Sequence, residues 1–384
     1  MILVLDTFAV SEDLIQLLIV LVKAAVVLGA LLHLAAACIW VERKGAALIQ
    51  DRIGANRASI FGWDLAGAIN TLICDAAKAI LKEDWLPKGS SQFLHSMGPF
   101  MAVFPVLMSF AVIPFGPPFQ AGDITVTLQL ADLNVGILYV FAMGSLAVYG
   151  VVIAGWGSNN KFSLLGGLRA SAQMISYEVT MGLSIVGMLV IYRSLDLNHI
   201  IAAQGGTFGG IIPKWGIFLY PPFSIVAFLI FFTSMMAETK RAPFDLPESE
   251  SEIVAGYLTE YSGMKFLLFW LGEFSEIVVA SSIVVIMFFG GWQCPWVDLA
   301  ALNNVPRTLP FFGWDISWFP LGSFLGSLVL LVKVAFFCVL QIVIRWTLPR
   351  FRYDQLMSLC WKLMLPICLV NLIGTVAVYL WLNT

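Results

Sequence analysis

Charge is scarce in this sequence. Only 12% of its 384 residues are Asp, Glu, Lys or Arg, against about one quarter in a soluble domain. With 60% of the chain hydrophobic, water is excluded as its solvent. Histidine is nearly missing: His33, His95 and His199 lie on different helices or loops, so local spacing assembles neither a metal motif nor a facing haem pair. Cys38, Cys74, Cys294, Cys338, Cys360 and Cys368 sit mostly inside apolar runs without a close ligand pair, and read as small buried hydrophobes. The chain is therefore expected to bind no metal, cofactor or redox centre of its own. No Lys or Arg precedes the first apolar run, which is far longer than a signal-peptide core, so cleavage is not expected. Lipidation and transit signatures are lacking, as are internal repeats of about 20 to 50 residues.

What the sequence has instead is long apolar runs. A membrane helix needs about 20 mostly apolar residues, and eight stretches qualify: 14–41, 97–115, 135–155, 171–192, 216–237, 264–290, 320–345 and 359–382. The expected fold is all-α and polytopic, one integral membrane domain over 1–384. Orientation follows from the cations. The odd-numbered connections with their flanking helix ends hold sixteen of the 21 Lys and Arg residues, and the even ones hold Arg193, Lys214 and Arg307. Lys23 and Lys333 fall inside helices. The odd connections are thus expected to face the cytoplasm, with both termini on the exported side of a bacterial inner membrane.

Two odd connections, 42–96 and 238–263, are long, charged and threaded with apolar positions, which is where chemistry is expected. In the first, WDLAGAINTLICDAAKAILKEDW has helical apolar spacing with Asp75, Lys78 and Lys82 at steps of three and four. It predicts a short amphipathic cytoplasmic helix, and an ordinary interfacial helix has the same pattern. Ahead of it, WVERKGAALIQDRIGANR places Glu42, Arg43, Lys44, Asp51, Arg52 and Arg57 in sixteen positions. A positive-inside stop signal explains the cations there, but requires neither Glu42 at the hydrocarbon boundary nor the Gly-Ala-Asn turn.

The second connection, AETKRAPFDLPESESEIVAGYLTEYSG, carries Glu238, Asp245, Glu248, Glu250, Glu252 and Glu260 within 23 residues, against Lys240 and Arg241. Pro243 and Pro247 hold it out of a helix. In an extended chain Glu248, Glu250 and Glu252 would project to one side, where crowded carboxylates raise one another's pKa. A solvated acidic loop would not need its Pro-Phe and Leu-Pro packing positions, so an ordered proton-handling element is expected. Acids also lie within spans: Glu178, and Glu273 with Glu276 three residues apart on one helix face. An ionisable group there costs about 2.5–3.5 kcal/mol on the insertion scale, so each must face a polar interior, pair with a cation or stay protonated. Lys23 and Lys333 are the candidate partners.

At these residues the chain resembles a known family. ERKGAALIQDRIGAN, SNNKFSLLGGLRASAQMISYEV and ETKRAPFDLPESESEIVAGYLTEYSG are similar to the signature stretches of the membrane-embedded H subunit of respiratory complex I, the proton-translocating NADH:quinone oxidoreductase. The resemblance spans residues 40–275 and implies a subunit with no catalysis alone, which forms much of the tunnel that admits quinone from the bilayer. It implies that Glu42, Arg43, Arg52, Arg57, Asp75 and Lys78 frame that tunnel. It also implies that Glu178, Glu238, Asp245, Glu248, Glu250, Glu252, Glu260 and Glu273 form an acidic path toward the pumping subunits. Glu276 stands where the family pattern leads one to expect a neutral residue, and is either an extra relay group or the partner of a nearby cation. Gly54-Ala55-Asn56 replaces the family's Gly-Pro-Asn turn. Implied partners are hydrophilic-arm subunits bearing the terminal iron–sulfur cluster, small membrane subunits, antiporter-like subunits and lipids, with FMN and the iron–sulfur clusters in partner chains. Nucleic acid is not among them.

Two other readings use the same features. Membrane-bound hydrogenases and ferredoxin- or deazaflavin-linked complexes carry a similar subunit, although the complete ERK-to-DRIGAN loop argues against them. Intramembrane acids alone would suit a stand-alone proton-coupled transporter, against which stands the lack of inverted repeats.

Overall fold

A computed structural model describes residues 12–54, 73–121, 124–247, 250–303 and 320–383. Arg57, Glu248 and residues 63–72 of the expected amphipathic segment lie outside them. Among the described residues seven helices are long and apolar enough to cross a membrane, and an eighth is apolar but short. The chain is a multi-pass, all-α membrane protein, as its composition leads one to expect.

Helix α1 (Glu12–Ile49) is followed by α2 (Asp75–Leu81), α3 (Gln92–Ser109), α4 (Gly136–Gly157), α5 (Lys161–Tyr192) and α6 (Leu197–Ala203). Next come α7 (Gly216–Leu219), α8 (Phe223–Glu238), α9 (Glu250–Ile253), α10 (Gly263–Phe288) and α11 (Leu299–Leu302). The chain closes with α12 (Leu321–Thr347), α13 (Tyr353–Ser358) and α14 (Leu365–Asn383). Two antiparallel two-stranded hairpins, Phe119–Ala121 with Ile124–Val126 and Thr207–Phe208 with Ile212–Pro213, are the described strands.

The spans depart from expectation at three places. Helix α1 runs through Glu42, Arg43 and Lys44 to Ile49, because those side chains find protein partners rather than lipid. Its 38 residues give about 57 Å at 1.5 Å per residue, well beyond a hydrocarbon core of about 30 Å. Helix α5 begins at Lys161 rather than 171, since the Asn160 side chain accepts from the Phe162 backbone N–H at 3.0 Å and caps it. The stretch 216–237 is broken: Pro221 and Pro222 lack N–H groups and separate α7 from the 16-residue α8.

Helix α10 is the axis of the assembly. It packs against α1, α3, α8 and α12, and its side chains are buried almost without interruption from Glu273 to Phe288. Around it α3 packs on α4, α4 on α5, and α5 on α8 and α14. Small residues allow the close approaches, as expected where lipid supplies no hydrophobic drive between helices. A Cβ on Gly150 of α4 would lie 2.5 Å from the Ala102 backbone nitrogen of α3, so the two backbones touch.

Ion pairs reveal the polarity of the bundle. Every ion pair among the described residues joins parts of the odd-numbered connections or their flanking helix ends, so these connections share one end. At the other end Lys333 donates to the carbonyls of Phe289, Gly291 and Gln293 at 2.8, 2.9 and 2.8 Å, beneath the Trp215 ring. Those carbonyls lie at the C-terminus of α10, where a cation is favoured. Lys333 is therefore not the partner of the buried acids, and Lys23 makes no ion pair among the described residues.

Candidate functional site

Arg43 and Asp75, placed by α1 and α2, pair at 2.6 Å on the rim of a cavity of about 200 Å³. Lys78 and Lys82 add cations to this rim, and Ile39, Phe266, Leu267 and Trp270 supply an apolar wall. Helix α2 approaches α10 by its backbone: a Cβ on Gly263 would meet the Lys82 carbonyl oxygen at 3.2 Å. The rim of opposite charges over a flat apolar wall suits an apolar ring with polar substituents.

Glu42 faces elsewhere, because neighbouring positions on a helix point about 100° apart. Its carboxylate accepts from Arg241 at 2.7 Å and Arg345 at 2.5 Å, and the Arg241 guanidinium lies 4.1 Å from the centre of the Phe274 ring. Three elements, α1, the acidic connection and α12, thus meet at one nearly buried carboxylate.

The described parts of the acidic connection are held by contacts with α5 and the chain after α12. Buried Gln173 of α5 donates to the carbonyls of Ala237 and Phe244, both at 2.8 Å, and so pins the start of the loop. Gly256 turns it back: its φ of +55° and the 1.7 Å separation between an added Cβ and the Pro247 carbonyl oxygen leave room for no side chain. Arg169 binds Glu252 at 2.7 Å, Asn160 donates to Glu260 at 2.6 Å, and Arg350 holds Asp245 at 2.9 Å. The expected extended run is corrected at its second half. Residues Glu250–Ile253 form a turn of helix, so Glu250 and Glu252 are not alternate positions of a strand. Burial pushes the Asp245 carboxyl above its ordinary range, and the Arg350 and Arg345 guanidiniums oppose that rise only in part.

Beneath the loop lie the membrane acids. The Tyr257 hydroxyl donates to Glu273 at 2.9 Å. One helical turn on, Glu276 lines a cavity of about 60 Å³ together with Glu238 of α8. A Cβ on Gly144 would lie 3.4 Å from Glu238 Oε1, and the adjacent Ser145 hydroxyl bonds Glu178. Tyr257, Glu273, Glu276, Glu238, Ser145 and Glu178 therefore form a series from the loop to α5.

Across residues 22–376 the sequence matches the NADH dehydrogenase family. The chain belongs to that family. The H subunit of NADH-quinone oxidoreductase from Bdellovibrio bacteriovorus is 39% identical, over 95% of this chain and 97% of that protein. An H subunit of the same enzyme from Syntrophobacter fumaroxidans is 42% identical over 95% and 97%. One from Geobacter metallireducens is 43% identical over 92% and 94%.

In this member of the NADH dehydrogenase family the expected tunnel residues divide into three groups. Arg43, Asp75 and Lys78 share the cavity, Glu42 faces the interior, and Arg52 is exposed with its guanidinium on the Gln50 side chain at 2.7 Å. Of the expected acidic path, Glu178, Glu238, Glu273 and Glu276 come together, whereas Asp245, Glu252 and Glu260 are held by separate partners around the loop. Glu250 is placed only by its backbone. Sequence reasoning passed over Arg345 and Arg350, counted merely as topology cations, and over Gln173, Ser145 and Tyr257. An arginine immediately after an apolar run is a weak signal for the first two. None exists for the others, whose roles depend on tertiary contact.

Proposed function

We propose that this chain is the quinone-binding, energy-coupling membrane subunit of a proton-translocating NADH:quinone oxidoreductase. The observation that carries the reading is that one helix lines both cavities. Trp270 of α10 faces the Arg43–Asp75 cavity, Glu276 faces the acid cavity, and Glu273 lies between them. Six residues separate Trp270 from Glu276, about 9 Å along the axis. The names of its relatives, H subunits of NADH-quinone oxidoreductases, support the same reading.

A quinone reduced by two electrons takes up two protons, and fixed cations stabilise the negative charge that develops before they arrive. Arg43 and Lys78 provide such charge at the cavity, with Asp75 fixing Arg43, and arginine does so without titrating. On this reading Glu42 and Arg52, and Arg57 by its place in the same connection, belong to the tunnel surroundings, although none of them is among the described residues that line the cavity. Movement of charge in the cavity reaches the acids through α10 and through the Arg241–Glu42 contact. Quinone is the substrate, and electrons come from FMN and iron–sulfur clusters held by partner subunits. The odd-numbered end faces the cytoplasm and the hydrophilic arm, the termini face the periplasm, and 1–384 acts as one membrane domain beside small and antiporter-like subunits.

The reading is tested by co-purification. Native membranes are solubilised, this chain is captured by a tag, and NADH-driven quinone reduction is assayed with and without a quinone-site inhibitor. Inhibitor-sensitive activity in the captured complex is expected, and recovery of this chain alone would contradict the reading.

A further inference from the structure

The sequence leaves two roles open for Glu276, an extra relay group or the partner of a nearby cation. If it partnered a cation, one should lie beside it, yet it forms no ion pair within 4.0 Å among the described residues. Lys240 lies over the Tyr257 ring at 5.7 Å, and Arg241 binds Glu42. What Glu276 does face is Glu238, across a shared cavity whose remaining wall is largely apolar, including Val106, Phe141, Met181 and Ile283.

That space suits water by size and by chemistry. About 60 Å³ exceeds the roughly 10–15 Å³ that a single water requires and, at roughly 30 Å³ per water, has room for about two where polar partners are present. The two carboxyl groups are such partners. So are the hydroxyl oxygens of Ser109 and Thr239, which donate to the carbonyls of Pro105 and Met236 and keep lone pairs for water. Glu276 is also three residues from Glu273 on the same helix face, while Glu238 abuts Gly144 beside the Ser145–Glu178 contact.

We propose that Glu276 is a proton-transfer residue that exchanges protons with Glu238 through water in this cavity, and so bridges Glu273 to Glu238. This assignment rests on the functional reading above. In the step a proton leaves the Glu276 carboxyl for a cavity water as another leaves that water chain for the Glu238 carboxylate. One neutral and one ionised carboxyl trade places, and no other reactant is consumed.

The test uses the assembled complex in proteoliposomes, with NADH-driven proton uptake and quinone reduction measured together. Glu276→Gln is expected to lower pumping by about tenfold or more, to remove a protonated-carboxyl band from the redox infrared difference spectrum, and to be largely rescued by Glu276→Asp. Ala280→Leu, which fills the cavity while leaving both acids in place, is expected to lower pumping likewise, and decides the matter if Glu276→Gln fails to assemble. Wild-type pumping in assembled Glu276→Gln, or in Ala280→Leu, overturns the proposal while leaving the functional reading intact. A wild-type complex without inhibitor-sensitive NADH:quinone activity overturns that reading and the proposal with it.

Discussion

Glu42 of α1 and Arg241 of the acidic connection pair at 2.7 Å with side chains only 14% and 7% exposed. This contact fastens the helix that carries Arg43 to the loop that leads to Glu273. Arg345 joins the same carboxylate from α12 but is 25% exposed.

Removing one partner of a buried ion pair costs about 3–5 kcal/mol, because the charge left behind is uncompensated. Glu42→Gln leaves two cations facing each other, and is expected to lower the melting temperature of the detergent-solubilised complex most. Arg345→Gln should lower it less, since solvent screens that arm. Equal melting temperatures for wild type and Glu42→Gln would refute the account of this contact.

Arg43 lines the cavity whereas Arg52 is exposed, with its guanidinium on Gln50. Arg43→Ala is expected to reduce quinone turnover by about tenfold or more, on the scale of one lost electrostatic stabiliser, with a raised KM for quinone. Arg52→Ala should have the smaller effect. Steady-state kinetics on matched amounts of assembled complex separate the two, and the reverse order would move the quinone site away from Arg43.

Lys333 holds three carbonyls at the end of the bundle opposite the ion pairs. Lys333→Met leaves those acceptors unsatisfied at about 1–3 kcal/mol each where water does not replace the ammonium. Thermal stability should fall while quinone turnover per assembled complex stays at the wild-type level. A selective loss of turnover would give Lys333 a role in the chemistry.

Asp245 is held above its ordinary pKa by burial, against the pull of Arg350 and Arg345. The folded state thus binds the Asp245 proton more tightly than the unfolded chain does. Its contribution to stability is fully present below about pH 4 and is lost as pH rises through the folded value. Asp245→Asn keeps the neutral form at every pH. The stability of this variant relative to wild type is expected to increase from about pH 4 upward, read from melting temperatures across that range. A difference that shrinks with rising pH would mean that the Arg350 pair outweighs burial.

Much of the fold is legible in the sequence because hydropathy and cation placement act over whole segments. The apolar runs become the spans, and the cation-rich connections meet at one end. Hydropathy averaging failed where single residues decide, at Pro221 and Pro222, whose missing N–H groups divide α7 from α8. It also failed at Glu42, which belongs to α1 because its charge is met inside the protein. The candidate site was legible in kind but not in pairing. Glu42 and Arg345 are 303 residues apart, a separation that leaves no periodic trace. Local spacing did reveal Glu273 and Glu276 on one face, but not that Glu238 completes their cavity.

Where the quinone ring sits is the point on which the account turns. A photoactivatable quinone, illuminated on the assembled complex and mapped by peptide mass spectrometry, tests it directly. Label is expected on the cavity walls, at Ile39 of α1 and at Phe266 or Trp270 of α10, and excess unmodified quinone should suppress it. Quinone-protected label confined to other parts of this chain, or to partner subunits alone, would contradict the account.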